Sequence, residues 1–202
     1  MEPRFFIQGL VVGLSIAAPV GPIGVLCIRR SLAGGLALGL ATGLGAATAD
    51  AAYGGIAGFG LTAISGFLVK CQLWLALIGG IFLCYLGLGA FLSKPAPDTN
   101  APSSQGLVSA YSSTVLLTLA NPATILSFIA VFAGLGLGAN ASYPAAAMLA
   151  FGVFTGSALW WLLLSGAISQ LRSRVNSVWM RTINRLSGVT LFAFGLYALS
   201  RV

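Results

Sequence analysis

The sequence predicts an all-α integral membrane protein: six transmembrane helices forming two inverted three-helix repeats, with proline-broken first and fourth helices. Three observations predict this class. First, 58% of the 202 residues are hydrophobic and 6% are charged, whereas a soluble domain is about 25% charged. A chain this short cannot hide so much apolar surface from water, so its solvent is lipid. Second, the apolar residues form six runs of spanning length, at about 5–27, 36–61, 72–92, 107–133, 144–168 and 184–200. Third, the first and fourth runs carry similar proline motifs inside otherwise apolar sequence.

The first run contains "LSIAAPVGPIGVLC", residues 14–27, with Pro19 and Pro22 near its middle. Proline has no backbone N–H and its ring clashes with the preceding helical turn, so two prolines in four residues break the helix. Residues 5–18 are not read as a cleaved leader, because the apolar run continues through both prolines to Arg29 and exceeds a signal-peptide core.

The second run holds Asp50, about 14 residues from its start and 11 from its end. A charge at that depth costs about 2.5–3.5 kcal/mol, and intramembrane acids are functional by default. Asp50 is therefore the candidate proton- or cation-coupling group, expected to bind a proton or a substrate ammonium at a cavity between the two halves. At about 100° per residue, Gly39, Gly43, Ala47, Asp50, Gly54 and Gly58 fall within an arc of roughly 100°. That smooth face lets another helix approach closely.

The third run leads into "SKPAPDTNAPSSQG", residues 93–106, a Pro- and Ser-rich stretch that reads as a solvated linker. It divides a single transmembrane domain into a first three-helix repeat, residues 1–92, and a second, residues 107–202.

In the fourth run, "NPATILSF" (121–128) aligns with "GPIGVLCI" (21–28), pairing Pro122 with Pro22, Leu126 with Leu26 and Ser127 with Cys27. Three helices separate the two segments, so the second would enter the membrane from the opposite side. Interrupted helices in corresponding positions are the mark of an inverted repeat with a midplane binding site. Carbonyls freed by a break must face protein or water, and so become ligands for a polar solute. The candidate substrate-binding residues are Pro19, Gly21, Pro22, Asn121 and Pro122. Asn121 adds an amide, and Gly21 permits close approach.

In the fifth run Gly152 and Gly156 repeat the small-residue spacing, with Leu159 in the place equivalent to the acid. Gly39, Gly43, Gly54, Gly152 and Gly156 are the candidate helix-packing positions. Between the fifth and sixth runs, "SQLRSRVNSVWMRTINR" carries four arginines. Its Val175, Val178 and Trp179 can form an amphipathic segment on the membrane surface.

Orientation follows from the distribution of Lys and Arg. The loops after runs one, three and five hold Arg29, Arg30, Lys94, Arg172, Arg174, Arg181 and Arg185, seven in all, against Arg4, Lys70 and Arg201 on the other side. The arginine-bearing side is predicted to be cytoplasmic, with both termini periplasmic across a bacterial inner membrane. The net charge of +7 is thus a matter of membrane orientation. The basic residues form no helix face that would bind nucleic acid.

The chain has no histidine, and its only acids are Glu2, Asp50 and Asp98. That supply is too small for a carboxylate metal cage or an acid pair. No GxxxxGK[ST] loop and no metal-ligand spacing appears, so neither an enzyme nor a cofactor is expected, and active transport must draw on an ion gradient. The expected partners are a small-molecule substrate, protons or cations, and the lipid bilayer. Exposed glycine and aromatic faces also allow a homodimer.

The motifs resemble the lysine exporter family, also called LysE/RhtB, over essentially the whole chain. "APVGP" and "GLGAATADAAYGGIAGFGL" look like its first two helices, and "ALIGGIFLCYLGLGAFL" like the third. "LLTLANPATILSFIAVF" looks like the fourth, and "FGVFTGSALWWLLL" and "INRLSGVTLFAFGLYAL" fit the last two. The resemblance implies a six-helix inner-membrane exporter of amino acids or related metabolites, working by proton or cation antiport. It places the proline–glycine motif at Pro19, Gly21 and Pro22, the acid at Asp50, and the Asn-Pro motif at Asn121 and Pro122. The lysine- and arginine-exporting branch has Gln-Asn after the proline motif. Here Ile23 and Gly24 follow Pro22, which argues against basic amino acids as substrates.

Two other function classes share some of these features. A transmembrane thiol–disulfide carrier also pairs proline-broken helices, but it needs a cysteine on each, and Cys27 would face Ser127. A divalent-metal exporter of related fold wants several carboxylates.

Overall fold

The computed structural model describes residues 3–19, 21–59, 70–93, 106–121, 124–128, 142–174 and 177–200. Among them there is helix and no strand. The elements are α1 (Pro3–Ala17), α2 (Pro22–Gly58), α3 (Gln72–Leu92), α4 (Leu107–Leu119), α5 (Tyr143–Leu171), a 3-10 turn (Arg172–Arg174) and α6 (Ser177–Leu199).

Proline punctuates these helices as its chemistry requires. α1 starts at Pro3 and stops two residues before Pro19, and α2 starts at Pro22. Pro at a first helical position costs nothing, because that N–H has no intrahelical partner. The fourth run breaks in the same place. α4 ends at Leu119, and residues 124–128 are helical again beyond Asn121. The two restarts are built alike: Gly21 O accepts from Val25 N at 3.1 Å, and Asn121 O accepts from Ile125 N at 3.3 Å. Pro122 lies outside the described residues.

α2 is two helices folded back on each other. Gly35 has φ 75° and ψ −168°, a conformation open to glycine and costly for other residues. Arg30 Nη1 donates to Thr42 Oγ1 at 3.3 Å across twelve residues of sequence. A straight helix would hold those residues about 18 Å apart, so the chain reverses at Gly35. The first arm, residues 22–34, continues past the break, and the second, residues 36–58, is the predicted second run. The expected loop at Arg29 and Arg30 is instead helix, and the reversal comes five residues later, where glycine permits it.

Packing rests on small residues. The second arm of α2 runs antiparallel to α5, with Gly43 against Trp161, Gly54 against Val153 and Gly58 against Ala146. Gly39 packs on Ser31 and Ser165. α1 crosses α5 through Gly9 and Gly13 on one side and Gly152 and Gly156 on the other. A Cβ on Gly9 would lie 3.0 Å from Gly152 Cα, and one on Gly156 would lie 3.0 Å from Leu14 N. α3 and α6 meet through Gly80 and Gly87 against Gly195 and Gly188. A Cβ at such points would meet backbone, so the helices approach as closely as small-xxx-small packing allows. Leu159, read as the counterpart of the acid, is exposed instead of lying on this packed face.

The principal packing pairs are α1 with α5, α2 with α5, α2 with α4, and α3 with α6. Exchanging α1 with α4, α2 with α5, and α3 with α6 leaves that set unchanged.

The outer surface is apolar and parts of the interior are polar. α3 exposes Ile78, Ile81, Tyr85, Leu88 and Leu92 at spacings of three and four, while Thr42, Thr114, Ser157 and Ser165 are buried. That is the reverse of a water-soluble bundle and suits a lipid solvent. Three helical stretches, Pro22–Gly58, Leu73–Leu92 and Tyr143–Arg174, are each long and apolar enough to cross a membrane; Pro3–Ala17 and Leu107–Leu119 are shorter apolar helices. α6 begins ahead of the expected residue 184, so Val178 and Trp179 sit exposed in its first turn. Val175 and most of the 93–106 linker lie outside the described residues.

Candidate functional site

The two helix breaks wall one cavity of about 860 Å³. Pro19, Gly21 and Pro22 contribute the first break, and Ala120, Asn121 and Thr124 the second. Lys70, just ahead of α3, and Leu73 and Leu83 on α3 close one side, and α6 closes another with Phe194, Tyr197 and Ala198. Four of the five predicted substrate-binding residues are therefore brought together around one space.

The chemistry of these walls comes from the breaks. Pro19 and Pro22 have no N–H to offer the carbonyls of Ser15 and Ala18, four residues earlier. An added Cβ on Gly21 would meet nothing within 4 Å, so Gly21 faces open space and is not required by packing. The lining thus sets the break residues, the Asn121 amide and the hydroxyl-bearing Thr124, Ser127 and Tyr197 against leucine and phenylalanine. Such a mixture of apolar wall and a few polar groups is the usual make-up of a small-molecule site.

Leu126 and Ser127 also line the cavity, but their aligned partners Leu26 and Cys27 do not. Cys27 is fully buried, with its Sγ 3.3 Å from Ser165 Oγ and donating to Gly39 O at 3.7 Å. It therefore does not face Ser127. All three cysteines are free.

Asp50 is not part of the cavity lining. It is 3% exposed, and Ser157 Oγ donates to its Oδ2 at 2.7 Å. Ser157 in turn accepts from Trp161 Nε1 at 3.1 Å. The carboxyl thus sits at the α2–α5 contact, behind the cavity. One turn further along α2, Tyr53 Oη donates to Leu119 O at 2.6 Å, at the residue where α4 ends.

A further constellation was not legible as a site in the sequence. Arg30, 2% exposed, donates to Thr42 Oγ1, Ala110 O (3.1 Å), Thr114 Oγ1 (3.0 Å) and Ser113 Oγ (2.9 Å). Arg29 donates to Asn184 Oδ1 at 3.2 Å and to Ser93 Oγ at 3.3 Å. The pair thereby ties together the first arm of α2, α3, α4 and α6. The same four segments carry cavity-lining residues at 21–23, 70–83, 117–121 and 194–198, the nearest lying three residues away on α4 (Thr114 to Leu117) and ten away on α3 and α6 (Ser93 to Leu83, Asn184 to Phe194). The arginine pair thus ties these four helices together away from the cavity lining. None of these partners is a carboxylate, so these are hydrogen bonds to hydroxyls, an amide oxygen and a backbone carbonyl, worth about 1.5–3 kcal/mol each to a charged donor.

A fold of small-residue helix contacts with a solute-sized cavity at paired helix breaks is a transporter's architecture, and comparison with known proteins decides the family. The sequence profile of the LysE type translocators matches residues 14–201.

The chain belongs to the LysE type translocator family.

It is thus an integral membrane protein of a transporter family, as the motif resemblance implied. Over 200 residues it is 29% identical to the "putative amino acid efflux protein YcgF" of Bacillus subtilis (strain 168), covering 96% of this chain and 94% of that one. Over 202 residues it is 30% identical to the "uncharacterized membrane protein YahN" of Escherichia coli (strain K12), covering 94% and 88% respectively. No solved structure matches this translocator.

Proposed function

We propose that this protein exports an amino acid or an amino-acid-like small metabolite across the bacterial inner membrane by proton or cation antiport. The observation that carries this reading is the single cavity walled by both helix breaks. It offers backbone carbonyls and an amide to a polar solute in a setting otherwise made for lipid. The name of the Bacillus relative supports amino acids as the substrate class.

The chain works as two inverted three-helix repeats, residues 1–92 and 107–202. Each repeat contributes one broken helix, one long helix and one outer helix, and the exchange-invariant packing pairs support this pairing. α1 and α4 are too short to span alone, and each is completed by the helix beyond its break. Glycine-rich contacts between the halves let them rock, exposing the cavity first to one side and then to the other. The arginine pair closes the cytoplasmic end in the state described here. Both termini face the periplasm. Asp50 takes up the coupling proton at the α2–α5 contact, where its charge state changes the Ser157 bond and so the fit of the moving helices.

The thiol–disulfide reading loses its geometry, since Cys27 faces Ser165 away from the cavity. Among the described residues no three Cys, Asp or Glu side chains lie together, so the metal reading has no observation to favour it.

A resistance screen tests the proposal. The chain is expressed in a sensitive bacterium, which is challenged with single amino acids, their toxic analogues and dipeptides. Growth rescue tied to lower intracellular amino acid is the expected result. No rescue by any compound, with the protein present in the membrane, would remove the proposal.

A further inference from the structure

The cavity wall carries one charged group. Lys70 lines it beside Leu73, immediately ahead of α3, whose N-terminus adds unsatisfied N–H groups and the positive end of the helix dipole. No carboxylate stands opposite among the described lining residues. Asp50 is the one acid among the described residues, and it is buried against Ser157 behind the wall. A solute in this space therefore meets a fixed cation, neutral polar groups at the breaks, and an apolar flank formed by Ile16, Leu83, Leu117 and Phe194.

We propose that Lys70 is the specificity-determining residue of the cavity: its ammonium holds the substrate's carboxylate and its charge excludes substrates bearing a cationic side chain. This deepens the export reading and rests on it. The physics is a charge match at one end and a mismatch at the other. A carboxylate reaching Lys70 exchanges water for a charge-assisted hydrogen bond in a partly desolvated mouth. The substrate's amine is met by neutral acceptors at the helix breaks. A second ammonium would be repelled by Lys70 and would meet no carboxylate among the described lining residues, so the neutral polar groups and apolar flank would replace its lost hydration only in part. The preferred substrate is a zwitterion with an uncharged, largely apolar side chain. Lys70 is exposed, so substitutions there leave folding intact.

The test is counterflow in proteoliposomes containing the full chain, which reads substrate exchange without an ion gradient. The probes are labelled L-leucine, L-methionine, L-threonine and L-lysine, with L-leucinamide as a competitor lacking the carboxylate. The wild type is expected to exchange neutral amino acids, to reject lysine, and to bind leucinamide at least about tenfold more weakly than leucine, the scale of one charge-assisted hydrogen bond. Lys70→Gln should weaken apparent leucine affinity about tenfold and abolish the discrimination against leucinamide. Lys70→Arg should restore both, and Lys70→Glu should turn the preference towards lysine. A Lys70→Gln protein with wild-type affinity and discrimination overturns the assignment and leaves export standing. Lysine exchange equal to leucine in the wild type overturns it equally. Absence of counterflow for every amino acid sinks the export reading and this assignment together.

Discussion

Ser157 Oγ donates to Asp50 Oδ2 at 2.7 Å, joining the second arm of α2 to α5 at the centre of their contact. The bond places the chain's intramembrane acid at the contact between its halves, and the cavity wall excludes it. A proton on Asp50 would therefore act on transport through helix packing, without touching the solute.

Asp50→Asn separates the two functions. The amide oxygen still accepts from Ser157, so the protein should fold and exchange substrate in counterflow within about twofold of wild type, while gradient-driven export falls about tenfold or more, as for a lost intramembrane titratable group. Parallel counterflow and pH-gradient assays in proteoliposomes read both quantities.

Glycine substitutions should divide by what a side chain would strike. Gly156→Leu drives a branched chain into the backbone of α1 around Leu10, an overpacking cost of about 1–3 kcal/mol or more. Gly89→Ala and Gly166→Ala meet nothing within 4 Å and should be neutral. Melting of the purified proteins in detergent distinguishes them, with the first destabilised by several degrees and the others unmoved.

Loosening the arginine pair should open the closed end. Arg30→Gln loses most of the bonds to Thr42, Ser113, Thr114 and Ala110. With Cys71 and Cys84 replaced by serine, maleimide labelling of Cys27 should speed up about tenfold, the effect of about 1.4 kcal/mol on an opening equilibrium. Mass spectrometry of timed samples gives the rate.

Cys27→Ser should export within about twofold of wild type, because a hydroxyl can keep the contacts to Ser165 and Gly39 at a cost of about 1 kcal/mol. Growth protection in the resistance screen measures it.

The sequence foreshadowed more of this than its low complexity suggests, and the omissions have physical causes. Proline chemistry located both breaks, because a missing N–H acts locally whatever the tertiary setting. The 100° rule placed Gly39, Gly43, Asp50, Gly54 and Gly58 on one buried face, because helical periodicity is also local. The same face was read as bearing Asp50 towards the substrate. Its true neighbour, Ser157, depends on how two helices cross, which no single-helix pattern encodes. Arg29 and Arg30 looked like loop residues because charge near an apolar run ordinarily marks a boundary. Only the fold shows α4 hydroxyls and a carbonyl arriving at Arg30, and Asn184 and Ser93 arriving at Arg29. Gly9 and Gly13, at the same four-residue spacing as Gly152 and Gly156, were a readable sign of the α1–α5 crossing. Gly80 and Gly87 matched Gly188 and Gly195 at a spacing of seven.

The most direct test of the central claim is substrate protection at the two breaks. Gly21→Cys and Asn121→Cys are made singly in a chain whose own cysteines are serine, and each is treated with a water-soluble thiol reagent in membranes. Gly21 has open space for the new side chain. The account predicts that both positions react and that the exported amino acid slows both, at the same concentration. One position unreactive, or only one of the two protected, would contradict a shared cavity between the broken helices.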